Sequence, residues 1–200
     1  MTLDNYPATK KKIFLAASKL FAQKCYADVG MREIASEAGI QVPTIYNHYR
    51  SKEVILEDLF RYFTYRHTEF RRSIAVHDYD DYDQNPTDCF KKLLYVFDDS
   101  EMELVRRLLQ IIFNEQTRSP QAATIIYELI LRDGKAVFYE YLAHLQKKGK
   151  IKSKNIDSFA ETFPRVVITM AMQFARDDEM DRRPDYEKLL TDLFEQLLDE

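Results

Sequence analysis

Apolar residues recur every three to four positions along almost the whole chain of 200 residues, and no stretch sustains a period of two. The pattern predicts an all-α protein of about nine amphipathic helices. The first runs from about Ala8 to Lys24, with Ile13, Ala16, Ala17, Leu20 and Phe21 on one face and Pro7 in its first turn. Two short pieces follow, near Met31–Ala38 and Val42–His48. Ser51 then suits the cap of a long helix whose inner face carries Ile55, Leu59, Phe63 and Phe70. Residues 77–85, HDYDDYDQN, break the pattern and read as an exposed acidic loop, after which Asn85-Pro86 restarts a helix. Ser100 and Glu103 stand at capping-box spacing before Leu104, Val105, Leu108 and Ile112. Ser119-Pro120 opens a further helix toward Lys148, with Gly134 as the place for a kink and Gly149 as the stop. Two strongly amphipathic helices close the chain, one carrying Phe159, Phe163, Val166, Val167, Met170 and Phe174, the other Tyr186, Leu189, Leu190, Leu193, Phe194, Leu197 and Leu198.

Composition agrees with this picture: 4 Gly and 6 Pro leave little material for tight turns or phosphate-cradling loops. Charge adds something that periodicity does not show. The net charge of -4 is unlike that of a nucleic-acid binder, but it is unevenly spread. Residues 1–52 hold 8 Lys and Arg against 4 Asp and Glu, and the remaining residues hold 21 against 29. A small basic head on an acidic body suits a local surface for a polyanion. Cys25 and Cys89 lack metal-type spacing and read as buried, free thiols. The N-terminal residues show no apolar core of signal-peptide length, and the uncharged run from Val166 to Ala175 is too short to span a bilayer. A cytoplasmic protein with no membrane association is expected.

The informative stretch is Met31–Tyr49, MREIASEAGIQVPTIYNHY. A helix-turn-helix needs two short helices set at a steep angle by a tight turn. Ile34, Ala35 and Ala38 give the first a small apolar face, and Gly39 stands where the chain must bend. Ile40 plugs the turn, and Ile45 and Tyr49, four apart, hold the second helix on the same core. Gln41, Thr44, Tyr46, Asn47 and His48 are left outside, a set of donors and acceptors suited to a major groove. Gln41 and Asn47 are amides able to read adenine, and Thr44 can meet a phosphate or a thymine methyl. Tyr46 and His48 suit phosphates, and Lys52 adds a cation at the next helix N-terminus.

The segment KKKIFLAASKLFAQKCYADVGMREIASEAGIQVPTIYNHYRSKEVIL resembles the DNA-binding domain of the TetR (tetracycline-repressor) family. The positions that carry the likeness are Ile13, Ala17, Leu20, Phe21, Tyr26, Ile34, Ala35, Ala38, Gly39, Thr44, Tyr46, His48, Ser51, Lys52 and Glu53. The chain departs from the family pattern at Cys25, where glycine is common, at Val29-Gly30 in place of a capping Thr-Ser pair, and at Gln41 in place of a Ser/Thr cap. The resemblance implies a helix-turn-helix domain over residues 1–52 and an effector-binding, dimerising body over 53–200. Arg32, Gln41, Val42, Thr44, Tyr46, Asn47, His48 and Lys52 are the candidate DNA contacts. Candidate effector contacts are Phe63, Tyr95, Phe113, Phe138 and Phe163, which would favour an apolar or aromatic small molecule. The last two helices resemble the family's dimerisation pair, with Phe163, Val167, Met170, Phe174, Leu190, Phe194 and Leu197 as candidate contacts.

A ligand-responsive repressor that grips a double-stranded, pseudo-palindromic operator as a homodimer is the function this implies. An enzyme is disfavoured, since the chain has no Gly-rich phosphate loop, no HExxH pair and no GxSxG elbow. No cofactor or metal is expected; His67 and His77 beside Asp78, Asp80, Asp81 and Asp83 read as a solvated acidic region rather than as ligands. The competing reading is a helical protein-interaction module without sequence-specific DNA binding.

Overall fold

The computed structural model describes residues 3–76, 86–87, 99–152, 155–176 and 183–199. All regular structure among them is helical. The helices are α1 (Ala8–Gln23), α2 (Met31–Glu37), α3 (Val42–Tyr46), α4 (Lys52–Val76), α5 (Asp99–Glu115), α6 (Pro120–Thr124), α7 (Asp133–Lys147), α8 (Ile156–Arg176) and α9 (Arg183–Asp199). Helical 3-10 turns at Leu3–Asn5 and Tyr26–Asp28 precede α1 and α2. The acidic run at 77–85, Tyr95, Cys89 and most of the helix expected after Asn85 lie outside the described residues.

Local chemistry sets most boundaries where the apolar period places them. Ser119 caps α6, its hydroxyl accepting from the Ala122 amide at 3.3 Å, with Pro120 in the first turn. Two expectations need correction. Ser100 is already helical, inside α5, so it is not the cap that its spacing to Glu103 suggested. The discontinuity expected at Gly134 lies earlier, as a π-helical segment over Ile125–Arg132, and Gly134 sits in the first turn of α7. A Cβ there would stand 3.1 Å from the Pro164 Cβ, so glycine is what lets α7 and α8 approach this closely.

The chain forms two compact units, Met1–Glu69 with Asp99–Ile125, and Phe70–Asp98 with Ile126–Glu200. The first unit is larger than residues 1–52. A head of that length is at the small end of what buries a core alone, and here α1 packs against α5 as well as α2. Its core holds Ile13, Phe14, Ala17, Phe21, Ile34, Ile45, Ile55, Leu59, Leu108 and Ile112, each buried. Phe14 stands edge-on to Tyr6 and Tyr62 at 5.5 and 5.3 Å between centroids, a favourable aromatic geometry.

The second unit is built on α7 and α8, with α9 packed against α8. Val137, Phe138, Tyr141, Leu142, Leu145, Ile156, Ala160, Phe163, Leu190 and Phe194 form one buried cluster. The Tyr141 hydroxyl, carried into that cluster, donates to the Pro86 carbonyl at 2.6 Å. Gly149 ends α7 with φ +72°, as its position predicted.

Candidate nucleic-acid interface

The α2–turn–α3 unit is assembled by backbone chemistry. Gly39 has φ +65°, the left-handed conformation that side chains resist. Its amide donates to the Ser36 carbonyl at 3.1 Å, and the Ile40 amide to the Ala35 carbonyl at 3.0 Å, so the open end of α2 is closed as the chain turns. A Cβ at Gly39 would meet nothing within 4 Å, so only the backbone demands glycine. Gly39→Ala is therefore expected to lower stability by about 1–2 kcal/mol, with Gly39→Asn costing less because asparagine tolerates this region. Chemical denaturation of the three proteins checks this; equal stability of wild type and alanine variant would contradict it.

Helix α3 begins at Gln41, whose side chain makes no capping bond, and has proline in its first turn. The Gln41 carbonyl accepts from the Thr44 amide at 2.9 Å. The Tyr49 amide donates to the Ile45 carbonyl at 2.9 Å, carrying the last turn past the end of α3. Ile45 and Tyr49 are buried, as their four-residue spacing predicted. Opposite them Gln41, Tyr46 and Asn47 are exposed, Tyr46 by 54%, and Val42, Thr44 and His48 are half-buried. Arg32 is exposed on α2. Arg50, a cation adjoining the outward polar set, is exposed just beyond α3.

Lys52 departs from the reading that pointed its charge at a phosphate. Its ammonium turns inward, donating to the Tyr26 and Val29 carbonyls at 2.7 Å each and to Ala27 at 3.4 Å, and it lies 4.2 Å from the Tyr26 ring centroid. It ties the α1–α2 connection to the start of α4, adding a charged donor to the carbonyls of the short turn. Cys25, expected to be buried, is exposed, because it occupies an extended position that leads into that turn.

Behind the polar face lies a charged centre. Asp58 on α4 is fully buried. Its carboxylate accepts from the Tyr49 hydroxyl at 2.7 Å, the Tyr6 hydroxyl at 3.0 Å and Arg61, and pairs with the Lys10 ammonium at 3.1 Å. Burial alone would raise its pKa; hydrogen bonds from Arg61, Tyr49 and Lys10 outweigh burial and hold it below the usual carboxylate range. Burial, reinforced by Asp58, pushes both tyrosine hydroxyls well above theirs, so they remain donors.

The remaining candidates fall in both units. Phe63 is buried in the first unit with His67 stacked 6.4 Å away, and Phe113 is half-buried there. Phe138 and Phe163 meet in the second unit at 4.8 Å, with Phe159 stacked on Phe163 at 5.1 Å. Of the candidate dimer residues, Phe163, Leu190 and Phe194 lie in the core of their own unit and Val167 is half-buried. Met170, Phe174 and Leu197 have side chains outside the described set. Among the described residues of α9, Leu189 and Leu193 are exposed apolar residues, 46% and 38% exposed and one turn apart. Among the described residues no group of three or more His, Cys, Asp or Glu is placed to hold a metal ion, and no helix is long and apolar enough to cross a membrane.

Comparison with known proteins agrees with this geometry. Residues 13–59 match the model of the bacterial regulatory proteins, tetR family. The uncharacterized HTH-type transcriptional regulator YvkB of Bacillus subtilis is 26% identical over 161 residues, 80% of this chain and 79% of that protein. Among solved structures, GusR of Salmonella enterica superposes with a TM-score of 0.60 at 21% identity, over 96% of both chains. A protein of Saccharomonospora viridis in complex with choline gives a TM-score of 0.71 at 18% identity, over 93% of this chain and 95% of that one. The buried anchors Ile13, Ile34, Ile45 and Leu59, the left-handed Gly39 and the exposed polar face of α3 all fall within the matched residues. Residues 13–59 thus carry the DNA-binding helix-turn-helix domain of the tetR-family bacterial regulatory proteins, and most of the chain is similar to an HTH-type transcriptional regulator.

Proposed function

We propose that this regulator represses transcription by holding a pseudo-palindromic operator as a homodimer and releases it on binding a small apolar or aromatic effector. The observation that carries the DNA reading is the polar face of α3, standing outward from a helix anchored by buried Ile45 and Tyr49. In this reading Gln41 and Asn47 read base edges, Val42 and Thr44 line the groove floor, and Tyr46, His48, Arg32 and Arg50 take phosphates. Residues up to 52 carry the DNA contacts, and the remainder carry effector binding and dimerisation, in a cytoplasmic protein. Two recognition helices related by two-fold symmetry call for half-sites about 34–36 Å apart, or a multiple.

Leu189 and Leu193 make an apolar ridge on α9 that a second copy would cover, with Val167 contributing from α8. For the effector, support comes from the aromatic content of the helices after α4 and from the choline complex of the Saccharomonospora viridis protein.

Selection from random duplex DNA, followed by anisotropy titration of the winning site at two salt concentrations, tests the proposal. A palindromic site bound by a dimer and weakened steeply by salt is expected. Asn47→Ala should relax discrimination at one base pair per half-site by about 1–3 kcal/mol, whereas Arg50→Ala should weaken all sequences alike and lower the salt slope by about one. No enriched site would move the assignment to a helical interaction module.

A further inference from the structure

We propose that Asp58 is a positioning residue for operator recognition, setting the pitch of the recognition helix through the Tyr49 hydroxyl. The inference rests on the DNA-binding reading and assigns a specificity role to a residue that no base can reach. Asp58 is fully buried, and its four partners come from separate parts of the head. Tyr6 precedes α1, Lys10 lies in its first turn, Tyr49 follows α3, and Arg61 lies one turn further along α4. Tyr49 alone among them continues the recognition helix, through its amide bond to the Ile45 carbonyl. Its ring is buried and its hydroxyl sits 2.7 Å from Asp58, while Lys10 lies 5.2 Å from the ring centroid.

A recognition helix of five residues has too few core contacts to fix its own rotation; Ile45 is its one buried residue. The buried Tyr49 ring just past the helix end adds a second apolar contact, but apolar packing is non-directional and leaves small rotations of the helix soft. A charge-assisted hydrogen bond at a second point, just past the helix end, removes that freedom because its geometry is directional. Base contacts need positional accuracy that phosphate contacts do not. A loosened pitch should therefore cost specific binding and spare non-specific binding.

The test compares Tyr49→Phe with Tyr6→Phe in the full chain. Each keeps its ring and removes one donor to Asp58, but only the first acts on the recognition helix. Affinity is measured for the selected operator and for a scrambled duplex of equal length, at a temperature where thermal melts show all proteins folded. Tyr49→Phe is expected to lower the operator-to-scrambled affinity ratio about tenfold through the operator alone, and Tyr6→Phe to leave the ratio unchanged. Equal loss of the ratio in both variants, or an equal loss on both duplexes, would overturn the proposal and leave Asp58 a stabilising residue. A wild-type protein that does not discriminate the duplexes would overturn the DNA-binding reading itself, and this inference with it.

Discussion

Asp58→Ala is expected to lower the unfolding free energy by about 3 kcal/mol, the low end of the about 3–5 kcal/mol typical when one partner of a buried ion pair is removed. The substitution leaves two cations and two hydroxyls facing a small apolar side chain. Arg61, 62% exposed along its side chain, can turn into water, which moderates the loss. Lys10, 24% exposed, and the hydroxyls of Tyr6 and Tyr49 are less able to escape. Urea unfolding of the two proteins measures the difference; a loss under about 1 kcal/mol would mean that all four donors find water at little cost.

The same group sets an acid limit. The folded pKa of Asp58 lies below its ordinary value of 3.8, so the unfolded chain binds its proton first as the pH falls. Its contribution is thus fully present above about pH 4 and lost as the pH drops through the folded value. The stability difference between wild type and Asp58→Ala should hold constant from neutrality down to about pH 5 and shrink below about pH 4. A difference that instead grew with acidification would place the carboxyl pKa above its ordinary value.

Phe194→Ala is expected to destabilise the second unit by about 3–5 kcal/mol. Phe194 is fully buried in the cluster of α7, α8 and α9, its ring stacked 6.0 Å from Tyr141. Truncation leaves a void among Tyr141, Leu142, Leu190 and their neighbours that a packed helical core closes only in part. Leu193→Ala, one position earlier on an exposed face, should cost far less within its own unit and should weaken the proposed homodimer. Calorimetry combined with sedimentation separates the two effects. Loss of the dimer in Phe194→Ala with unchanged subunit stability would return Phe194 to the interface.

These contrasts mark where periodicity stops being informative. On α9 it finds apolar residues at 189, 190, 193, 194, 197 and 198, two adjacent stripes of similar hydrophobicity. Only packing decides that Leu190 and Phe194 face their own subunit and leave Leu189 and Leu193 outside. The π-helical segment at Ile125–Arg132 was equally hidden, because the apolar pattern reports which face is buried and not the hydrogen-bond register that brings it there.

What the amino-acid sequence determined by itself was local. Helix positions, the turn at Gly39, the Ser119 cap, the Gly149 stop and the outward polar set on α3 all follow from period, capping chemistry and backbone freedom within a few residues. The tertiary structure decided what depends on distant partners. Asp58 carried a faint signal, a carboxylate beside Ile55 and Leu59 on an inward face, but one of its partners, Tyr6, stands 52 positions away. Lys52 was legible as a cation at a helix start, and only the fold shows that carbonyls 23 to 26 positions earlier claim its ammonium. A side chain's spacing names the face it occupies; which neighbour takes its charge is settled when the chain closes on itself, because buried charges must find partners there.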